Sequence, residues 1–308
     1  MEQKIGNTPL IELKKIQNGG GRYATNAHVR IFAKLESKNA GGSIKDRVAV
    51  AILDDAERSG RLQKGGTIVE ATSGNTGIGL ALVGGARGYK TIIVMPDSMS
   101  VERQELLRSY GAEVVLTDGK KGMQGAVEKA NEILKTTPNA ILADQFNNPA
   151  CVTAHFLTTG PEIWAQTDGC ADIFVAAIGT GGTLTGVAKF LKEKNPAIQI
   201  VAVEPSASPL LSKGVAGAHK IQGIGANFIP SILDATLIDE VLTVTDEEAF
   251  ATTRALYKEE ELFVGISSGA NVAAALKLAG RKENAGKTLV TVLPDDGGRY
   301  LTSGIFDT

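Results

Sequence analysis

The sequence predicts an α/β protein with two mostly parallel sheets flanked by helices. Three observations predict it. Apolar runs of strand character alternate with helical patterns along the chain, the rhythm of βαβ units. A polar, turn-rich stretch from Asp144 to Pro149 interrupts that rhythm and divides it into two series. Glycine, 36 of 308 residues, exceeds its usual share of ~7% and clusters between the apolar runs, as backbone-lined ligand loops would require.

The chain opens with a short turn-bearing segment, Ile5 to Leu10. A loop from Asn18 to Asn26, with three consecutive glycines, is expected on the surface. The first series then reads strand 29–35, helix 46–58, strand 67–71, helix 77–88, strand 91–95, helix 100–109, strand 113–116, helix 122–135 and strand 140–142. The second reads helix 153–166, strand 173–178, helix 184–194 and strand 199–203, followed by an irregular stretch over 204–238. It closes with strand 241–244, helix 246–260, strand 262–266, helix 269–279 and strand 288–293. Two α/β domains are expected, 1–145 and 146–308, with residues 1–40 able to pack on the second. Ligands of such sheets bind at strand C-terminal ends and helix N-termini.

Composition narrows the function. With 43% hydrophobic and 21% charged residues the chain is that of a soluble globular protein. A net charge of -2 gives no electrostatic case for nucleic acid or an anionic membrane. No apolar leader and no run of eighteen apolar residues is visible, so a cytoplasmic location is expected. Cys151 and Cys170 lack metal spacing and read as free thiols, small core or surface residues. His28, His155 and His219 are too widely spaced for a histidine-rich metal site, and no metal is expected.

The stretch that organises the reading is Lys38 to Arg47. Two glycines allow a tight turn, and Ser43, three residues before Asp46, reads as a capping-box-like helix start. Lys45 then sits in the first helical turn, where the dipole disfavours an ammonium, and burial would lower its pKa further. A neutral amine can form a Schiff base. Three later loops bear on it. Thr72-Ser73-Gly74-Asn75-Thr76-Gly77 offers hydroxyls, N–H groups and the Asn75 amide to a carboxylate or other oxygen anion. Gly179-Thr180-Gly181-Gly182-Thr183 makes a phosphate cup. That cup lacks the Gly-Lys-Ser/Thr of a Walker loop and the third glycine of the dinucleotide fingerprint, so a small monophosphate fits better. Gly265-Ile266-Ser267-Ser268-Gly269 matches a nucleophile elbow, but no histidine follows it to complete a hydrolase triad, and Ser267 reads as a neutral hydroxyl facing the cleft. A reactive lysine, a monophosphate cup, an amide for a ring oxygen and a lone hydroxyl belong together in one ligand, pyridoxal 5'-phosphate.

These four motifs, in this order and spacing, resemble the fold-type II pyridoxal-phosphate β-synthases, whose fold is tryptophan synthase β-like. The likeness is closest to the O-acetylserine sulfhydrylase (cysteine synthase) branch. It extends over nearly the whole chain through Ile5–Leu10, Met95–Ser100, Gln145–Pro149, Thr158–Trp164, Lys220–Pro230 and Arg299–Leu301. The resemblance implies an active site between the two domains. Lys45 would form the Schiff base and move protons; Asn75 would bond the ring oxygen. Gly179, Thr180, Gly181, Gly182 and Thr183 would hold the phosphate, and Ser267 would face the pyridine nitrogen. Thr72, Ser73, Asn75 and Gln145 would take the substrate carboxylate, with Gly223 to Gly225 lining the entrance. The implied reaction is β-replacement, O-acetylserine and sulfide giving L-cysteine and acetate through an aminoacrylate. A neutral Ser267 suits elimination, since it leaves the ring a weaker electron sink. A homodimer and a serine acetyltransferase partner are also implied.

Asn39-Ala40-Gly41-Gly42 is more similar to cystathionine β-synthase, whereas Lys220 to Ala226 points back to the sulfhydrylase. Asn227 stands where a glycine is common, and Asp295-Asp296 stand where the family usually has serines; both read as loop changes or as shifts in substrate choice. The rival readings are cystathionine β-synthase, a cysteine desulfhydrase, a nucleotide-binding protein or a catalytically silent scaffold. His155 and Trp164 read as structural residues, and Met95 and Met99 as flanking a turn of a mobile lid.

Overall fold

The near-continuous apolar runs become strands in a computed structural model that describes residues 2–18 and 28–307. Beyond Asn18, the loop expected over Asn18–Asn26 lies outside the described residues. Ten strands are formed among the described residues. They are β1 (Leu10–Glu12), β2 (Arg30–Leu35), β3 (Thr67–Ala71), β4 (Lys90–Pro96), β5 (Glu113–Thr117), β6 (Ala140–Leu142), β7 (Ile173–Ala177), β8 (Gln199–Pro205), β9 (Glu240–Val244) and β10 (Thr288–Leu293). They form two sheets flanked by helices, both mostly parallel as expected. One has the order β5-β4-β3-β6 and is parallel throughout. The other has the order β1-β2-β10-β7-β8-β9 and is parallel except where β1 runs against β2. Central strands such as β4, β8 and β10 are buried along nearly their whole length, because helices cover both faces of a parallel sheet.

Two compact units result. The first is Met1–Ile5 with Asn39–Ala154; the second is Gly6–Lys38 with His155–Thr308. The division falls after Ala154 because the short helix Ala150–Ala154 packs on the helix Lys45–Arg58 of the first unit. In the first unit the β3–β4–β5 sheet carries Ile92, Val94 and Val69 against Ala126 and Ala130 of the helix Gly122–Thr136. On another cluster Met95 is fully buried with Ile78, Ile93 and Leu107.

In the second unit the helix Ile266–Ala279 is buried almost all round and packs on β7, β9 and β10. Gly269 is required there. A Cβ at that position would lie 2.2 Å from the Ala249 carbonyl oxygen of the neighbouring helix Asp246–Glu260. Asn271, one turn after Ser267, accepts from Ala177 N at 2.7 Å and donates to Val292 O at 2.7 Å. It thereby pins the helix to the ends of β7 and β10.

Two strands differ from the sequence reading, and the helix expected over 153–166 is split into Ala150–Ala154, a π-helical turn His155–Thr159 and Gly160–Gln166. Strand β1 was not expected; three residues are too few to show a period, and its partner β2 fixes it through Leu10–Lys34 pairing. The strand expected over 262–266 does not form. Val264 makes only an isolated bridge to Asp296, and Gly265 already occupies the N-cap of the next helix. The apolar character of Leu262 to Ile266 reflects burial around that helix start, not a ladder.

A buried cation ties the entry segment of the second unit to the helix Gly160–Gln166. Lys34 on β2 is 0% exposed. Its Nζ donates to Thr8 O at 2.6 Å and Gln166 Oε1 at 2.8 Å, and pairs with Glu162 Oε2 at 2.7 Å. A lysine this deep is tolerated only because every direction meets an acceptor. Lys34→Ala therefore leaves a mostly buried Glu162 carboxylate uncompensated. The expected loss is about 3 kcal/mol of stability, read from the urea midpoint; a variant within about 0.5 kcal/mol of the parent would show the network to be dispensable.

Candidate active site

In the first unit the site residues gather around the head of the helix Lys45–Arg58. No capping box forms. Ile44 occupies the N-cap with helical angles and no side-chain cap. Instead Ser43 Oγ accepts from Lys45 N at 3.2 Å, and the buried Asp46 carboxylate reaches back to accept from Gly41 N at 2.5 Å. Gly41 must be a glycine, since a Cβ there would meet Asp46 Oδ1 at 2.6 Å. The turn that precedes Lys45 is thus closed by the two polar residues flanking it. Lys45 is partly exposed as a residue, but its ammonium is stripped of water. Desolvation lowers its pKa, opposed weakly by Cys151 and Glu70.

The Thr72–Gly77 loop lies between β3 and the helix Asn75–Ala86. Thr72 is buried and its Oγ1 accepts from Gly74 N at 3.1 Å, which bends the chain into the helix. Ser73 carries the Arg103 guanidinium on its carbonyl at 3.3 Å. Asn75 is the first helical residue and partly exposed. Gln145, beyond β6, is buried, and its Oε1 accepts from Thr76 Oγ1 at 2.5 Å. That bond ties the Gln145 amide to the Thr72–Gly77 loop. Behind them lies Glu70 of β3, 3% exposed, whose carboxylate accepts from Asp144 N at 2.8 Å and Gln145 N at 3.4 Å. Burial, with Asp144 nearby, pushes its pKa up to about 7 against those bonds. Burial likewise pushes the Cys151 thiol up to about 12.

The second unit presents a bare backbone. The cup lies between β7 and the helix Gly182–Lys194. Gly181 adopts a φ of +87° at the N-cap, which favours glycine, and no side chain caps this helix. A Cβ on Gly179 would fall 2.5 Å from Gly223 O, and one on Gly223 would lie 3.9 Å from Ser267 Oγ. Gly179, Gly223 and Ser267 are thus brought together. Ser267 is the second residue of its helix and 4% exposed. His155 adds what the sequence did not reveal. Its ring bridges Thr159 Oγ1 at 2.9 Å and Thr183 Oγ1 of the cup at 3.2 Å, from a π-helical turn His155–Thr159.

The departures in sequence have local work to do. Asn227 takes a left-handed φ of +62°, which asparagine tolerates, and its Oδ1 accepts from Ser208 Oγ at 2.9 Å. Asp295 is buried and accepts from Tyr300 Oη at 2.6 Å, while Asp296 caps the following 3₁₀ turn through Gly298 N at 2.7 Å.

These groups fit pyridoxal phosphate. A dry lysine amine meets the need for a carbonyl-capturing nucleophile, and a side-chain-free helix start flanked by Thr180 and Thr183 meets the need for a phosphate seat. The sequence reading missed Glu70, the support that His155 gives Thr183, and the bond between Thr76 and Gln145. The one available signal was Glu70, the single charged residue of the strand Thr67–Ala71.

Two outcomes follow from this geometry. Gly179→Ala forces its new methyl onto Gly223 O, so pyridoxal phosphate affinity, measured by equilibrium dialysis, falls by about tenfold or more while the circular dichroism stays unchanged. Unaltered affinity would separate the cup from cofactor binding. In the native protein at pH 8 a thiol reagent modifies one cysteine, the exposed Cys170, and spares the buried, fully protonated Cys151; two equivalents modified at the same rate would contradict it.

Comparison with known proteins places this geometry. The family model described as pyridoxal-phosphate dependent enzyme matches residues 1–295. Cysteine synthase A of Escherichia coli K12 is 49% identical over 311 aligned positions, covering 98% of this chain and 93% of that one. Cysteine synthase of Staphylococcus aureus is 48% identical, covering 99% of this chain and 96% of its own. Among solved structures, a cysteine synthase of Entamoeba histolytica superposes with a TM-score of 0.95 at 44% identity, covering 100% of this chain and 90% of that one. The chain belongs to the pyridoxal-phosphate dependent enzymes and is similar along its whole length to the cysteine synthases.

Proposed function

We propose that the protein makes L-cysteine and acetate from O-acetylserine and sulfide by β-replacement. The observation that carries the reading is the full-length likeness to chains named cysteine synthase, met here by a desolvated lysine at a helix head. Bound pyridoxal phosphate supplies the electrophilic carbon that captures the substrate amine and the conjugated ring that draws electrons from Cα.

The chain's own residues do the rest. Lys45 would be the residue that holds the cofactor, through Nζ, and its amine would be free to act once the substrate is bound. Its free amine, whose pKa desolvation lowers, then takes the α-proton of O-acetylserine as acetate leaves from Cβ. Hydrosulfide adds at Cβ, and Lys45 Nζ returns the proton to Cα, which completes cysteine. Thr72, Ser73, Asn75 and Gln145 would hold the substrate carboxylate, and Asn75 would also bond the ring oxygen. Gly179 to Thr183 bind the phosphate. Ser267 would face the ring nitrogen as a hydroxyl, and a neutral hydroxyl there would favour elimination over reactions that need a long-lived carbanion. Gly223 lines the entrance. The family likeness also supports a cytoplasmic homodimer and a serine acetyltransferase partner.

Purified protein is expected to be yellow and to lose its visible band on borohydride reduction, with the cofactor then found on the Lys45 peptide by mass spectrometry. Lys45→Ala should lower cysteine formation by about 10³-fold or more. A colourless protein that takes up no pyridoxal phosphate, or a Lys45→Ala variant of undiminished rate, would defeat the proposal.

A further inference from the structure

Glu70 is an acid in a strand that is otherwise Thr, Ile, Val and Ala, and it is 3% exposed. Its surroundings explain where it points. The main-chain ladder between β3 and β6 ends with Ala143 N donating to Val69 O at 3.0 Å. Beyond that bond the next two N–H groups, of Asp144 and Gln145, have no strand to pair with. The Glu70 side chain takes both, one on each carboxylate oxygen, at 2.8 and 3.4 Å. Asp144 meanwhile holds a left-handed φ of +51°, a conformation an aspartate enters only at some cost. One carboxylate thus fixes a strained turn whose next residue is Gln145. The Gln145 side chain is fixed from the other end, its oxygen accepting from Thr76 Oγ1. With its oxygen occupied, the amide has only N–H groups left to donate; they also interact with the Glu70 carboxylate, and they have the polarity a substrate carboxylate needs.

We propose that Glu70, as a carboxylate, is the positioning residue that aims the Gln145 amide at the substrate carboxylate. The inference rests on the reading of Gln145 as a substrate-binding residue. A carboxylate is required because two donors converge on it: an amide side chain would turn an NH₂ group towards one of the two N–H groups, and a protonated acid would lose one acceptor in the same way.

The charged and titratable groups around Glu70 are Asp144 from the turn, Lys45 from the helix Lys45–Arg58 and Cys151 from the helix Ala150–Ala154. Cys151 stays a neutral thiol, and the Lys45 ammonium is disfavoured. Burial leaves Glu70 titrating at about 7, so the two-acceptor form is populated above neutrality and lost as pH falls below it. Recognition of an amino-acid carboxylate weakens in the same direction.

The test uses the holoenzyme and two ligands, O-acetylserine and the unreactive amino acid L-alanine, whose binding is read from cofactor absorbance. Glu70→Gln is expected to raise KM for O-acetylserine and Kd for L-alanine by about tenfold, with kcat within about twofold and cofactor content unchanged. In the parent, the Kd for L-alanine should show an added weakening below about pH 7 that Glu70→Gln lacks. Combined with Gln145→Ala, Glu70→Gln should add nothing further, since both act through one amide. Additive effects, an unchanged Kd, or the same pH profile in parent and variant would overturn the role. Should Glu70→Gln not accumulate, the parent's pH profile decides alone, and its lacking a break near 7 overturns the proposal. A parent that binds L-alanine but makes no cysteine would refute the β-replacement reading while leaving Glu70 measurable.

Discussion

Lys45 can serve as a nucleophile and base only if its amine is dry and its backbone does not move. The second condition traces to one close contact. The helix Asn75–Ala86 passes so near the helix Lys45–Arg58 that a Cβ on Gly79 would stand 3.0 Å from the Lys45 carbonyl and 3.3 Å from Ala49 Cβ. Glycine at 79 and alanine at 49 let the two helices meet at van der Waals contact directly behind Lys45. Because Asn75 and Thr76 begin the same helix one turn earlier, that contact also sets their distance from Lys45. The loop that precedes Lys45 has little freedom left, with Asp46 closed on Gly41 and Ser43 on Lys45 N. Rigid placement of this kind is what a lysine needs if it is to take and return a proton at one carbon.

The second unit solves a different problem with the same means. A phosphate seat needs N–H groups exposed at a helix start, and any side chain over them is an obstacle. Gly179 and Gly181 provide the bare surface, and packing confines both: Gly223 O lies over one and Leu233 over the other. Polar side chains then hold this surface from behind. Asn271 fastens the Ser267 helix to two strands at once, and His155 supports the Thr183 hydroxyl from a π-helical turn, the kind of irregularity that collects at functional positions.

The loops were legible in the sequence because their signal is local. Glycine, serine and threonine between an apolar run and a helical one report strand end, turn and helix start within six residues, and Thr72–Gly77 and Gly179–Thr183 lie where that pattern put them. What supports the loops was not legible, since the partners are distant in sequence. Thr76 and Gln145 are 69 residues apart, and Glu70 and Asp144 are 74 apart. Only the fold makes them neighbours. The expected strand at 262–266 failed for a related reason. Its apolar residues report burial, and burial does not distinguish a strand from the approach to a buried helix.

Lys45, Cys151 and Glu70, three buried titratable groups of the first unit, are also unequal in a telling way. Burial drives each towards its neutral form: Lys45 down, Cys151 up, Glu70 up. For Lys45 the neutral form is the useful one, so burial and function agree. For Cys151 the neutral thiol is inert filling. Glu70 alone is held near neutrality, because two backbone donors pull against desolvation. The sign of its linkage is unfavourable to stability. With a folded pKa near 7 and an ordinary value of 4.5, the native state binds the proton more tightly than the unfolded chain. Its stabilising contribution is therefore full below about 4.5 and is lost as pH rises through about 7. An uncharged residue would fill the strand without that loss, but it could not hold two converging N–H groups. A carboxylate that costs stability at working pH, buried beside Lys45 and bonded to the Asp144–Gln145 turn, has the energetics of a group retained for placement.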